Sequence, residues 1–131
     1  MEDFVTFEIA LKLREKGFKE ECIAYYHTDG ELLYNRDQYR GGNYKSLLRS
    51  YNSLPKNPIG CEQIDAPTIS QVLKWLREKE ISIEPCATPY SYWYYMIKEK
   101  GTIKVTYTGE DYNNYEQAAL AGVAYCLENL I

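Results

Sequence analysis

Histidine is almost missing from this chain: His27 is the only one in 131 residues. An imidazole base needs an orienting partner and a nucleophile at hand, and the sequence marks neither near His27. It reads as a solvated strand residue beside a turn. Cysteine is scarce as well, and Cys22, Cys61, Cys86 and Cys126 include no C-x-x-C pair. Zinc sites show close ligand pairs, so no metal is expected. The four thiols read as small buried apolar groups of a reducing compartment. No apolar run approaches the roughly 18 residues that a membrane span requires. A basic surplus is absent too: 15 Lys and Arg face 19 Asp and Glu, a net charge of −4, which argues against broad phosphate binding.

Catalytic signatures are missing in the same way. The chain holds no Walker A loop, no G-x-G-x-x-G, no G-x-S-x-G and no H-E-x-x-H. Its carboxylates fall mostly at caps, turns and wet helix faces, and Asp29, Asp65, Glu84 and Asp111 form no marked acid/base pair. No catalytic residue and no cofactor is therefore expected, and the chain reads as not an enzyme. It opens Met-Glu-Asp, acidic where an export signal is basic, so a cytoplasmic location is expected.

Tyrosine, by contrast, is abundant: 14 residues against three Phe and two Trp. A tyrosine lays an apolar ring on a neighbour and keeps its hydroxyl wet, which suits half-buried positions, strands and binding faces.

Helical signals come first. Thr6 caps a stripe of Ile9, Ala10 and Leu13, and Gly17-Phe18 is a Schellman ending that turns Phe18 back onto Leu13. Asp65 to Lys79 carries the strongest pattern. Thr68 and Gln71 form a capping box, Pro67 stiffens the approach and Asp65 sets negative charge at the helix start. Ile69, Val72, Leu73 and Leu76 share one arc, with Trp75 at its edge. A last helix is expected from Asn113 as cap with Glu116 completing the box. Gly122 costs about 1 kcal/mol inside a helix, so it implies a close approach to a sheet.

Strand signals lie between. Cys22 to Tyr34 reads as a hairpin around a tight Asp29-Gly30 turn. A three-strand meander is expected over Ile81–Glu84, Tyr90–Lys98 and Thr102–Thr108, with Pro85 and Pro89 shortening its first strand. Alternation sends Trp93, Tyr95 and Ile97 to the core. It leaves Tyr90, Tyr92, Tyr94 and Met96 as a row on the opposite face, a candidate interaction surface.

Residues 36–66 are the least regular third, with only Tyr44–Tyr51 suited to a short helix. Arg36 to Lys56 holds five basic residues and one acidic one. Arg36, Tyr39, Arg40, Tyr44, Lys45, Arg49 and Tyr51 alternate cations with rings, the pattern of single-strand nucleic-acid binders.

Three helical segments, Glu8 to Phe18, Ala66-Pro-Thr-Ile-Ser-Gln-Val-Leu-Lys-Trp-Leu-Arg-Glu78, and Tyr115-Glu-Gln-Ala-Ala-Leu-Ala-Gly through Ile131, together resemble a group of small bacterial, bacteriophage and mobile-element proteins. That group has no assigned activity. The resemblance covers somewhat under half the chain and implies a small cytoplasmic accessory protein, with no functional residue carried over.

The element order predicts a single α+β domain over 1–131, two-layered. A mainly antiparallel sheet, a hairpin plus the meander, carries about three helices on one face. The expected function is non-catalytic protein interaction, with a protein partner or a second copy. Weak single-stranded nucleic-acid binding through 36–56 is the alternative, and no membrane partner is expected.

Overall fold

A computed structural model describes residues 3–35, 48–53, 63–100 and 111–131, which form three helices and five strands in an α+β arrangement with two antiparallel sheets. The chain divides into two compact units, Phe4–Thr68 and Met1–Asp3 with Ile69–Ile131.

In the first unit, helix α1 spans Phe7–Glu15. The Thr6 hydroxyl accepts from the Ile9 N–H, satisfying one of the orphan donors of the first turn. The helix closes as its sequence predicts. Gly17 takes φ 88°, Phe18 N–H donates to the Leu13 carbonyl and Gly17 N–H to that of Arg14. Leu13 and Phe18 are fully buried, which stabilises the unit by about 1.5–3 kcal/mol for each side chain.

Strands β1 (Ala24–His27) and β2 (Leu32–Tyr34) pair as the expected hairpin, but the turn differs. Gly30 N–H donates to the His27 carbonyl, His27 N–H to that of Glu31, and only Gly30 has positive φ. This is a three-residue loop with glycine at the left-handed position, not a two-residue turn. Asp29 serves it differently, its carboxylate accepting from the Glu31 N–H. Ala24 and Tyr26 face inward, and the Tyr26 hydroxyl donates to the Val5 carbonyl at 2.6 Å. Burial pushes that phenol's pKa up.

The last residues of the irregular third are themselves a strand. Strand β3 (Gln63–Asp65) pairs antiparallel with β1, giving the order β2-β1-β3. Three residues are too few to show a period, which is why the pattern gave no sign of it. At 48–51 there is no helix: Arg49 forms a bridge with Cys22, donating to its carbonyl and accepting from its N–H.

The second unit is built around a two-stranded ladder, β4 (Ile81–Ala87) and β5 (Trp93–Glu99). Strand β4 runs through Pro85 rather than stopping there. Thr88 N–H bonds to the Tyr92 carbonyl and Lys100 N–H to that of Glu80, which places the even-numbered β4 residues in the hydrogen-bonded pairs. Pro85, opposite Tyr95, falls between them, so its missing N–H breaks no ladder bond. Helices α2 (Ile69–Glu78) and α3 (Tyr115–Asn129) both pack on this ladder and on each other. Trp75 completes the core, with the Lys79 ammonium 4.7 Å from its ring centre. Gly122 sits so close to the sheet that a β-carbon there would lie 2.8 Å from Ile83 Cγ2.

The α3 cap lies one residue later than the sequence suggests. Asn114 is the N-cap, accepting from the Gln117 N–H at 2.8 Å, and the Gln117 amide oxygen accepts from the Asn113 N–H. Gln117, not Glu116, therefore answers the cap. The third meander strand, Thr102–Thr108, lies outside the described residues.

Candidate interaction surface

The turn from Thr88 to Tyr92 carries the two most conspicuous side chains of the second unit. Tyr90 is 82% exposed and Tyr92 48%. Four hydrogen bonds on Thr88 fix the turn. Its hydroxyl accepts from the Tyr90 and Tyr92 N–H groups, its N–H donates to the Tyr92 carbonyl, and its carbonyl accepts from Ser91 N–H. Ser91 takes φ 69°, in the left-handed region, which breaks the extended run before β5 begins at Trp93.

That break revises the expected tyrosine row. Tyr90 and Tyr92 belong to the turn, not the strand. Tyr94 and Met96 do lie on β5, opposite Cys86 and Glu84, on the face where Lys98 Nζ meets Glu84 Oε1 at 3.2 Å. Both are half-buried. Tyr95 and Ile97 point the other way into the core, as their alternation requires, and Trp93 on their side is half-buried.

Two further rings join the turn from the start of α3. Tyr112 bridges to Trp93 through both backbone hydrogen bonds, at 2.7 and 2.8 Å. Tyr115, exposed, sets its ring edge-on to the Trp93 indole at 5.8 Å between centres. Tyr112 lies 6.1 Å from Tyr95 by the same measure. Of the exposed large apolar side chains described, three (Tyr90, Tyr92 and Tyr115) belong to this end of the unit. Sequence alternation finds Tyr90 and Tyr92. Tyr115 escapes it because period 3.6 assigns that residue to the inward stripe of α3.

The basic candidates are placed only in part. Arg36, Tyr39, Arg40, Tyr44 and Lys45 lie outside the described residues. Arg49 is exposed, and Tyr51 packs edge-on against Tyr25 of β1, with 5.0 Å between ring centres. Tyr51 is held by Asp65, which is fully buried in β3. Its carboxylate accepts from the N–H groups of Tyr51 and Asn52 at 3.0 and 2.9 Å. Asn52 answers with its amide, donating to the Phe18 carbonyl and accepting from the Asp65 N–H. Burial pushes the Asp65 carboxyl above its ordinary pKa, and the Asn52 and Tyr51 donors pull it part of the way back. The sequence assigns Asp65 to the start of α2. The structure spends it on a loop 13 residues upstream.

The described thiols have structural settings. Cys22 and Cys126 are buried, Cys86 is half-buried, and none is in a disulfide. Burial, then the Glu99 charge, push Cys126 up to about 12, which leaves no thiolate at neutral pH. His27 Nδ1 stands 3.5 Å from Asp29 Oδ1, both partly exposed at the hairpin turn. Among the described residues no group of three His, Cys, Asp or Glu side chains is placed to hold a metal ion, and no helix is long and apolar enough to cross a membrane.

No protein-family model, curated protein or solved structure matches the chain.

Proposed function

We propose that this protein is a non-catalytic interaction module that engages a protein partner through Tyr90, Tyr92 and Tyr115. The observation that carries this reading is the Thr88 turn, which holds two tyrosines out to solvent before any partner arrives. Ordering a binding loop in advance removes part of the entropy cost of association, and tyrosine is among the residues enriched at such contacts. The half-buried Tyr94 and Met96 extend the surface along β5. A role as a small accessory protein of a bacterial or mobile-element system accords with the helical resemblance, and the absence of a disulfide among the described residues accords with a reducing compartment. The test is capture from host lysate by the wild-type chain and by a Tyr90→Ala/Tyr92→Ala variant, with light scattering on both. Partners lost by the variant support the reading; a strict monomer with identical captures defeats it.

Weak single-stranded nucleic-acid binding is the second reading, favoured by exposed Arg49 two residues before Tyr51, whose ring packs against Tyr25. Oligonucleotide titration at two salt concentrations decides it, because such binding must weaken as salt rises. Arg49→Ala should lower the affinity. No binding even at low salt ends the idea.

A further inference from the structure

Strand β4 has β5 as its one strand neighbour among the described residues, which makes its far side an edge of the ladder. Even-numbered β4 residues direct their backbone groups to β5, so those of Ile83, Pro85 and Ala87 point outward. Among the described residues, none bonds to the outward N–H of Ile83 or of Ala87. The β5 side differs, since Tyr112 engages both backbone groups of Trp93 there. An edge with open donors and acceptors is a template for a further strand. Proline stands in the middle of this one.

We propose that Pro85 keeps the β4 edge from pairing with a second copy of this chain. The pairing it opposes is a definite one. Two β4 edges meeting antiparallel across a two-fold axis at position 85 would set Ile83 against the partner's Ala87, and Ala87 against the partner's Ile83. Glu84 would then face the partner's Cys86 rather than the partner's Glu84, so no like charges oppose each other along the strand pair. With an N–H at position 85, the axial pair would be doubly bonded like its two flanks. Proline removes both axial bonds and sets two pyrrolidine rings against each other at that point. The same ring leaves the β4–β5 ladder whole, because the pair with Tyr95 carries no ladder bond.

Sedimentation of the full chain and of Pro85→Val over a range of concentrations tests the proposal. Pro85→Val should associate at about tenfold lower concentration than the wild type, because two more backbone bonds close across the axis. Adding Ala87→Pro removes an outward donor again and no β4–β5 bond, so it should reverse that association. Amide exchange reads the wild type itself. The Ala87 N–H, on an exposed residue, should exchange much faster than the ladder-bonded N–H of Cys86, and in Pro85→Val it should slow as concentration rises. Pro85→Thr repeats the test with a second strand-forming residue. A wild-type Ala87 N–H as protected as that of Cys86 would overturn the proposal, since the edge would already be covered. Variants of wild-type mass at every concentration, or association that Ala87→Pro does not reverse, would do the same. Loss of folding in both Pro85 variants would also defeat it, by giving the ring a structural role in place of a guarding one.

Discussion

Burying the Asp65 carboxylate removes its solvation, and two backbone N–H groups replace part of what is lost. Asp65→Asn keeps the shape but turns an NH2 group toward one of those donors, leaving it unsatisfied. The expected loss is about 1–3 kcal/mol, read from urea unfolding near neutral pH. The pH dependence has a definite sign. With its folded pKa raised, the native state holds the Asp65 proton more tightly than the unfolded chain does. The stability linked to this group is therefore complete below the ordinary carboxylate value and declines as pH rises through the folded one. The gap between wild type and Asp65→Asn should narrow over that interval. A gap that widened would mean that the two donors outweigh burial.

Among the elements, the caps and apolar stripes were the most readable features, because they depend on neighbours within four residues. Thr6, Gly17 and the face of α2 all appear where local chemistry puts them. The α3 start was ambiguous locally, since Asn113 and Asn114 precede Glu116 and Gln117 with the same spacing. Asn114→Ala should cost about 1 kcal/mol and Asn113→Ala only a few tenths, because only the backbone of Asn113 is used. Thermal unfolding of the pair distinguishes the two assignments. Gly122 was legible as a close approach, and the geometry now gives the consequence of filling it. Gly122→Ala gains about 1 kcal/mol of helix propensity but drives a methyl against Ile83 and the Tyr95 ring, which typically costs 1–3 kcal/mol. A net loss of about 1 kcal/mol is expected in urea unfolding, and a gain would show that the sheet yields. What could not be read was non-local. Strand β3 owes its existence to pairing with β1, and the turn that removes Tyr90 from β5 depends on Thr88 reaching across four residues.

For the whole molecule, acidic flanks surround a middle segment with a basic surplus, and the described aromatic surface lies in the acidic part. The two functional readings thus attach to different compact units: the tyrosine turn to Ile69–Ile131, Arg49 and Tyr51 to Phe4–Thr68. Composition showed that tyrosine was abundant but not where it would surface, since the described tyrosines serve core, sheet and turn alike. The Asn52–Asp65 clasp has a further, topological consequence. It joins two points of the chain in space by three hydrogen bonds, independently of the residues that connect them in sequence. Asn52 and Asp65 stand 13 residues apart in sequence, and these bonds bring them directly together. Closing a longer loop costs only about 0.6 kcal/mol for each doubling of its length. Contacts at the two ends therefore matter more than the length between them, and Asp65→Ala, which removes both carboxylate acceptors, should lower the unfolding midpoint.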